Sequence, residues 1–189
     1  MTIKEIYELA IKMGTGADPR GIEGVKKYLA RRQAEFEELP DKKKEEFDLE
    51  SLTNPYADSR ILYGDPSTLV DHVLVGIDIT AAEVLLADRL REKGDSIDLV
   101  IGHHPHGVAL AGLSEVMDVQ VDLQEQAGVP VNVAEALLGK RIGEVRRRFW
   151  PMNHFQSVDA ARLLNLPFMT IHTPADNLVY DFLKKLVAE

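Results

Sequence analysis

The chain has 189 residues, a formal net charge of −9 and a pI of about 5.2; hydrophobic residues make up 45% and charged residues 28%, and there is no cysteine. That length and balance fit one globular domain, or one with a small appendage. The lack of cysteine excludes disulfides, thiolate metal sites and a cysteine nucleophile, and suits a reducing cytoplasm. The acidic excess argues against nonspecific nucleic-acid binding, which needs concentrated Lys and Arg. No apolar run is long enough to span a bilayer, and the N-terminus lacks the apolar core of a signal peptide.

Ile3, Ile6, Leu9, Ala10 and Met13 recur at helical spacing, with Gly14 and Gly16 suited to the helix end. Asp18-Pro19-Arg20-Gly21 reads as a turn, and a second helix is expected from Ile22 to Leu39, stopped by Pro40. The mixed-charge run Asp41 to Glu46 reads as a solvated helical turn. Residues 48–60 contain Asn54-Pro55 and Asp58-Ser59 and read as a linker. The expected organisation is an N-terminal helical segment over 1–58 and an α/β metal-binding domain over 59–189.

Arg60 to Tyr63 reads as a strand closed by Gly64-Asp65-Pro66. His72 to Ile77 is nearly continuously apolar, as strands buried on both faces are. A helix should follow, with Thr80 and Glu83 forming a capping box and Gly94 ending it. Residues 97–102 form the next strand, which makes a strand–helix–strand unit. Leu113 to Ala127, Val133 to Phe149 and Ser157 to Asn165 read as helices, Leu166 to Ile171 as a strand, and Leu178 to Val187 as a last helix. The fold class is therefore α/β: a mixed or mostly parallel sheet flanked by helices, with an N-terminal helical appendage.

Three of the expected strands end in metal-compatible residues: Asp78, His103 with His104, and His172 with Asp176. If those strands are parallel, their ends share one sheet edge, where ligands bind in open α/β sheets. Adjacent residues on a strand face opposite ways, but Pro105 stops the strand, so both imidazoles can leave its end toward one site. They could serve two ions of a pair bridged by Asp176, an arrangement that polarises a substrate oxygen and activates water. Nitrogen and oxygen donors without thiolate suit Zn, Fe, Mn, Co or Ni. The plainer reading stands beside this one: the histidines are merely hydrogen-bonded, Asp78 favours a helix N-terminus, and Asp176 caps the last helix. His106 and His154 are weaker candidates, and His72 reads as structural. No P-loop, Rossmann or nucleophile-elbow pattern is present. Arg146-Arg147-Arg148 reads as a solvated helix face, and Trp150-Pro151-Met152 as packing or an interface.

Together, Val75-Gly76-Ile77-Asp78-Ile79-Thr80, Asp98-Leu99-Val100-Ile101-Gly102-His103-His104-Pro105 and His172-Thr173-Pro174-Ala175-Asp176 resemble the NGG-interacting-factor-three-like family, also known as GTP cyclohydrolase I type 2 homologues. That family carries an Asp-x-Thr segment, a His-His-Pro strand end and a His-Thr-x-x-Asp strand end in this order. The resemblance covers most of residues 70–180. It implies an α/β fold, a dinuclear centre of divalent metal ions and a ring-like homo-oligomer built from dimers. It implies His103, His104 and Asp176 as metal ligands, with His172 and Asp78 supporting them. Two departures stand out: the spacing between the second and third motifs is long, and the C-terminal His-x-x-x-Glu motif of the family does not follow Asp176. A truncated chain is one expectation from that.

The leading functional expectation is a metal-dependent hydrolase acting on a small, nucleotide-like molecule. Metal-activated water would attack, and His172 would be the catalytic proton shuttle. The alternatives are a noncatalytic metal-binding regulatory module and a metal-free interaction protein.

Overall fold

The structure is a computed structural model and describes residues 1–188. Helix α1 (Ile3–Gly16) opens with a capping box in which Thr2 and Glu5 satisfy each other's backbone N–H. Helix α2 (Gly21–Glu38) and the short α3 (Asp41–Lys44) follow. The body comprises β1 (Arg60–Tyr63), β2 (Val73–Gly76), α4 (Ala81–Glu92), β3 (Leu99–Gly102), α5 (Gly107–Ala111), α6 (Val119–Gln126), α7 (Val131–Phe149), α8 (Gln156–Leu163), β4 (Phe168–Thr170) and α9 (Thr173–Ala188).

The sheet order is β1-β4-β3-β2. Strands β2, β3 and β4 are mutually parallel, and β1 joins the edge antiparallel to β4, so the sheet is mixed as expected. The three strands that precede the metal-compatible residues thus end on one edge. The α4 capping box of Thr80 and Glu83 forms as the sequence indicates.

Two apolar layers sandwich the sheet. On one face Phe168 and Val100 pack with Ile79, Val84 and Ala87 from the α4 side and with Val158 and Ala161 of α8. On the other face Leu99 and Met169 pack under Ile3 of α1. The side-chain alternation of β4 thus sends Phe168 and Met169 to opposite layers.

Several boundaries differ from those read in the sequence. The helix expected over 113–127 is broken: a 3-10 turn (Val116–Asp118) precedes α6. Helix α5, too short for periodicity to reveal, was not foreseen. Helix α9 starts at Thr173, five residues before the expected Leu178, because Pro174 is compatible with the first helical turn and lacks only an N–H that would have had no partner there. The stretch read as a linker is buried from Asn54 to Arg60. Its polar side chains do not face water. Asn54 Nδ2 instead donates to the Tyr56 and Ser59 carbonyls, and the Tyr56 N–H donates back to Asn54 Oδ1.

Helix α1 packs on α9 with no room for a side chain at Gly14. A Cβ there would lie 2.5 Å from the Pro174 backbone, and the Gly14 carbonyl accepts from Asn177 Nδ2 at 3.1 Å. Gly14→Ala is therefore expected to destabilise the fold by about 1–3 kcal/mol, the usual range for overpacking. Gly16→Ala, which meets nothing within 4 Å, should leave the denaturation midpoint almost unchanged. Urea titration of the two variants side by side checks this.

Candidate metal centre

The chain leaves β3 at Gly102, and the His103 and His104 N–H groups donate to the Gly76 and Ile77 carbonyls at the end of β2. Both rings turn toward the same side, with centroids 5.2 Å apart. His172, at the end of β4, brings its ring to 4.8 Å from His103 and 5.9 Å from His104. One nitrogen from each of the three imidazoles lies within 4.8 Å of the other two. A cluster of this kind can hold a metal ion.

The hydrogen bonds of these rings decide which nitrogen is free. His103 Nδ1 faces the Ile171 carbonyl at 3.3 Å, His104 Nδ1 faces Asp78 Oδ1 at 2.6 Å, and His172 Nδ1 faces Asp58 Oδ2 at 2.8 Å. Carbonyls and ionised carboxylates only accept, so each neutral ring carries its proton on Nδ1. All three Nε2 lone pairs are left for a ligand role, with the other ring nitrogen held as in known metal sites.

Asp176 sits on the first turn of α9, one helical turn after His172. Its carboxylate oxygens lie 3.5 Å from His103 Nε2 and 3.7 Å from His172 Nε2. Those separations exceed a direct hydrogen bond, and they place acceptor against acceptor. They match the roughly 3.4 Å between two ligands that each stand about 2.1 Å from one tetrahedral ion. The residues therefore fit a cation shared by imidazoles and a carboxylate. The His172 pKa is raised: burial opposes the charged ring, but the hydrogen bond to Asp58 and the charges of Asp58 and Asp176 outweigh it. In the metal-free protein this coupling stabilises the fold below the ordinary imidazole pKa, and the contribution is lost as pH rises through the elevated one.

The sequence reading set His172 apart from the ligands His103, His104 and Asp176. In the structure His172 is one of the three clustered imidazoles, and Asp176 lies beside two of them. The largely exposed side chain of Asp78 pairs with His104, and with no other side chain among the described residues. Of the weaker candidates, His106 is outside the cluster. Its ring packs 5.6 Å from Phe168, and burial lowers its pKa. His154 Nε2 donates to the Phe149 carbonyl, and His72 is exposed at the entry to β2.

Sequence reasoning missed Asp58. Its carboxylate is fully buried and accepts from His172 Nδ1, Thr173 Oγ1 and Ser59 Oγ. It was hidden in a stretch whose Asn-Pro and Asp-Ser pairs are ordinary turn chemistry. Asp58 lies 114 residues from its histidine, and no local pattern announces such a pair.

Among the described residues no helix is long and apolar enough to cross a membrane. No family model matches the sequence, and no curated protein matches it. A solved structure does: the crystal structure of an NIF3 superfamily protein from Sphaerobacter thermophilus, 35% identical in sequence with a TM-score of 0.55. The match covers 62% of this chain and 41% of that one, so this chain spans about two fifths of that relative's length. The resemblance to the NIF3-like family carried by the Asp-x-Thr, His-His-Pro and His-Thr-x-x-Asp segments is thus a likeness in both sequence and fold.

Proposed function

We propose that this protein binds a divalent metal ion through Nε2 of His103, His104 and His172 together with the Asp176 carboxylate, and that it uses the centre for hydrolysis. The observation that carries this reading is the pair of acceptor-to-acceptor contacts, Asp176 to His103 and Asp176 to His172, at the spacing of two ligands on one cation. When bound, the ion would supply Lewis acidity and would lower the pKa of a water molecule. The imidazoles hold the position, each with its Nδ1 proton committed to an acceptor. The Asp176 carboxylate, exposed to solvent, faces the Nε2 atoms of two of the rings and would complete the ligand set.

The substrate we infer is a small molecule, nucleotide-like if the resemblance extends that far. A second, bridged ion would require further donors beside Asp176. Elemental analysis after exposure to zinc, manganese or cobalt, with hydrolysis assays on nucleotide, ester and amide substrates, tests the reading. The wild-type protein should retain metal, and His103→Ala and Asp176→Ala should retain much less. Wild-type metal content in both variants would remove the proposed site. Retained metal without turnover on any substrate would favour the noncatalytic module.

A further inference from the structure

Two carboxylates each grip one imidazole of the cluster by Nδ1, yet they differ in every other respect. Asp78 is exposed, 72% by side chain, on the turn after β2, and among the described residues the His104 ring is the one hydrogen-bond partner of its carboxylate. Asp58 has no exposed side-chain surface. Beyond His172 Nδ1 it accepts from Thr173 Oγ1 at 2.5 Å, Ser59 Oγ at 3.1 Å and the Thr173 N–H at 3.4 Å. Ser59 Oγ in turn accepts from the His172 N–H at 2.9 Å. The Ser59 carbonyl is tied down by Asn54 Nδ2 at 2.9 Å and by the Tyr7 hydroxyl of α1 at 3.1 Å. An unbroken set of hydrogen bonds thus runs from the N-terminal helix through the 54–59 loop to the His172 ring.

We infer that Asp58 is the positioning residue of the centre: it fixes His172 in the Nδ1–H tautomer and aims Nε2 at the cluster, whereas Asp78 does little for His104. The inference rests on the metal-binding reading above for its consequence, but not for its geometry. A buried, multiply hydrogen-bonded carboxylate holds one orientation and acts at low dielectric. An exposed carboxylate with one partner is screened and mobile. Outer-shell partners of ligating histidines typically contribute about 10–100-fold in metal affinity. An exposed pair contributes up to about fivefold. Asp58→Asn and Asp78→Asn each remove one negative charge next to one imidazole, so any difference between them reports position rather than charge.

The test has two arms. In the metal-free wild-type protein, long-range proton–nitrogen NMR of histidine-labelled material, recorded above the titration range of His172, should show its Nδ1 protonated and its Nε2 bare. Asp58→Asn should mix the tautomers of that ring and leave His103 unchanged. A wild-type His172 protonated on Nε2 overturns the inference even if the Asp58 variant fails to fold. In the second arm, titration with cobalt alone, read by its visible absorption, should show a loss of about 10–100-fold for Asp58→Asn and no more than about fivefold for Asp78→Asn. Equal losses in two variants with native circular dichroism overturn it. A wild-type protein that takes up no cobalt counts against the metal reading alone, because the tautomer arm still decides the role of Asp58.

Discussion

Replacing His172 by alanine is expected to abolish the thermal stabilisation that zinc gives the wild-type protein. At a zinc concentration 100-fold above the dissociation constant, binding to the native state adds about 2.7 kcal/mol, which raises the melting temperature of a chain this size by about 5–11 °C. His172 should matter more than either neighbour. Its ring is held at Nδ1 by Asp58 and its backbone N–H by Ser59, so its Nε2 is the best fixed of the three. His103 and His104 follow one another on a single stretch and share its motion. Without His172 the centre keeps two imidazoles from one short segment. The affinity loss should then exceed the roughly 10–100-fold expected for an outer partner.

The metal-free melt must be recorded as well, since the substitution strips buried Asp58 of one partner, a change that is costly by itself. His103→Ala separates the effects. The Nδ1 of that ring meets only a carbonyl, so its removal leaves no buried charge. A zinc-induced shift of wild-type size in both variants would show that these rings do not hold the ion.

The second large effect lies in the packing beneath the site. Phe168→Ala is expected to destabilise the protein by about 3–5 kcal/mol. Phe168 is fully buried at the start of β4, in the layer with Ile79, Val84, Val158 and Leu166, and its ring also faces that of His106. Removing the ring opens a cavity between the sheet and the helices α4 and α8, whose positions depend on one another. Differential scanning calorimetry should show a fall of about 6–20 °C. Phe182→Ala is the matched control. Its ring on α9 is 63% exposed, and the melt should hardly move. A loss at Phe168 no larger than that at Phe182 would contradict the assignment of the core to this face.

Much of the fold was legible because its signals are local. The run ending at Gly102 announces a buried strand by continuous β-branched and apolar residues, and Thr80 with Glu83 announces the start of α4 by direct reciprocal hydrogen bonds. The run ending at Gly76 also forms a strand, but not one buried on both faces as its composition indicates: β2 lies at the sheet edge with Val73, Val75 and the following Ile77 exposed, because the layer that covers one face does not extend over the other. The elements that were misread are those in which local chemistry has two outcomes. Pro174 marks either a loop or a first helical turn. Asn54-Pro55 and Asp58-Ser59 mark either a solvated turn or a buried loop whose side chains replace water as partners for the backbone. Propensity cannot tell these outcomes apart, because the deciding partners come from elsewhere in the chain.

The same division runs through the candidate centre. His103, His104, His172 and Asp176 could be named from sequence because imidazoles and carboxylates at strand ends are chemically conspicuous and parallel strands bring their ends to one edge. Which nitrogen each ring offers, and which carboxylate holds which ring, belonged to the tertiary structure alone. Asp58 reaches His172 only because β1 folds back antiparallel to β4, with Arg60 paired to Thr170. That pairing sets the residues before β1 beside those after β4. Residue type determines what a side chain can bind, and it is written in the chain; which partner it meets depends on long-range pairing, which no short stretch of sequence contains.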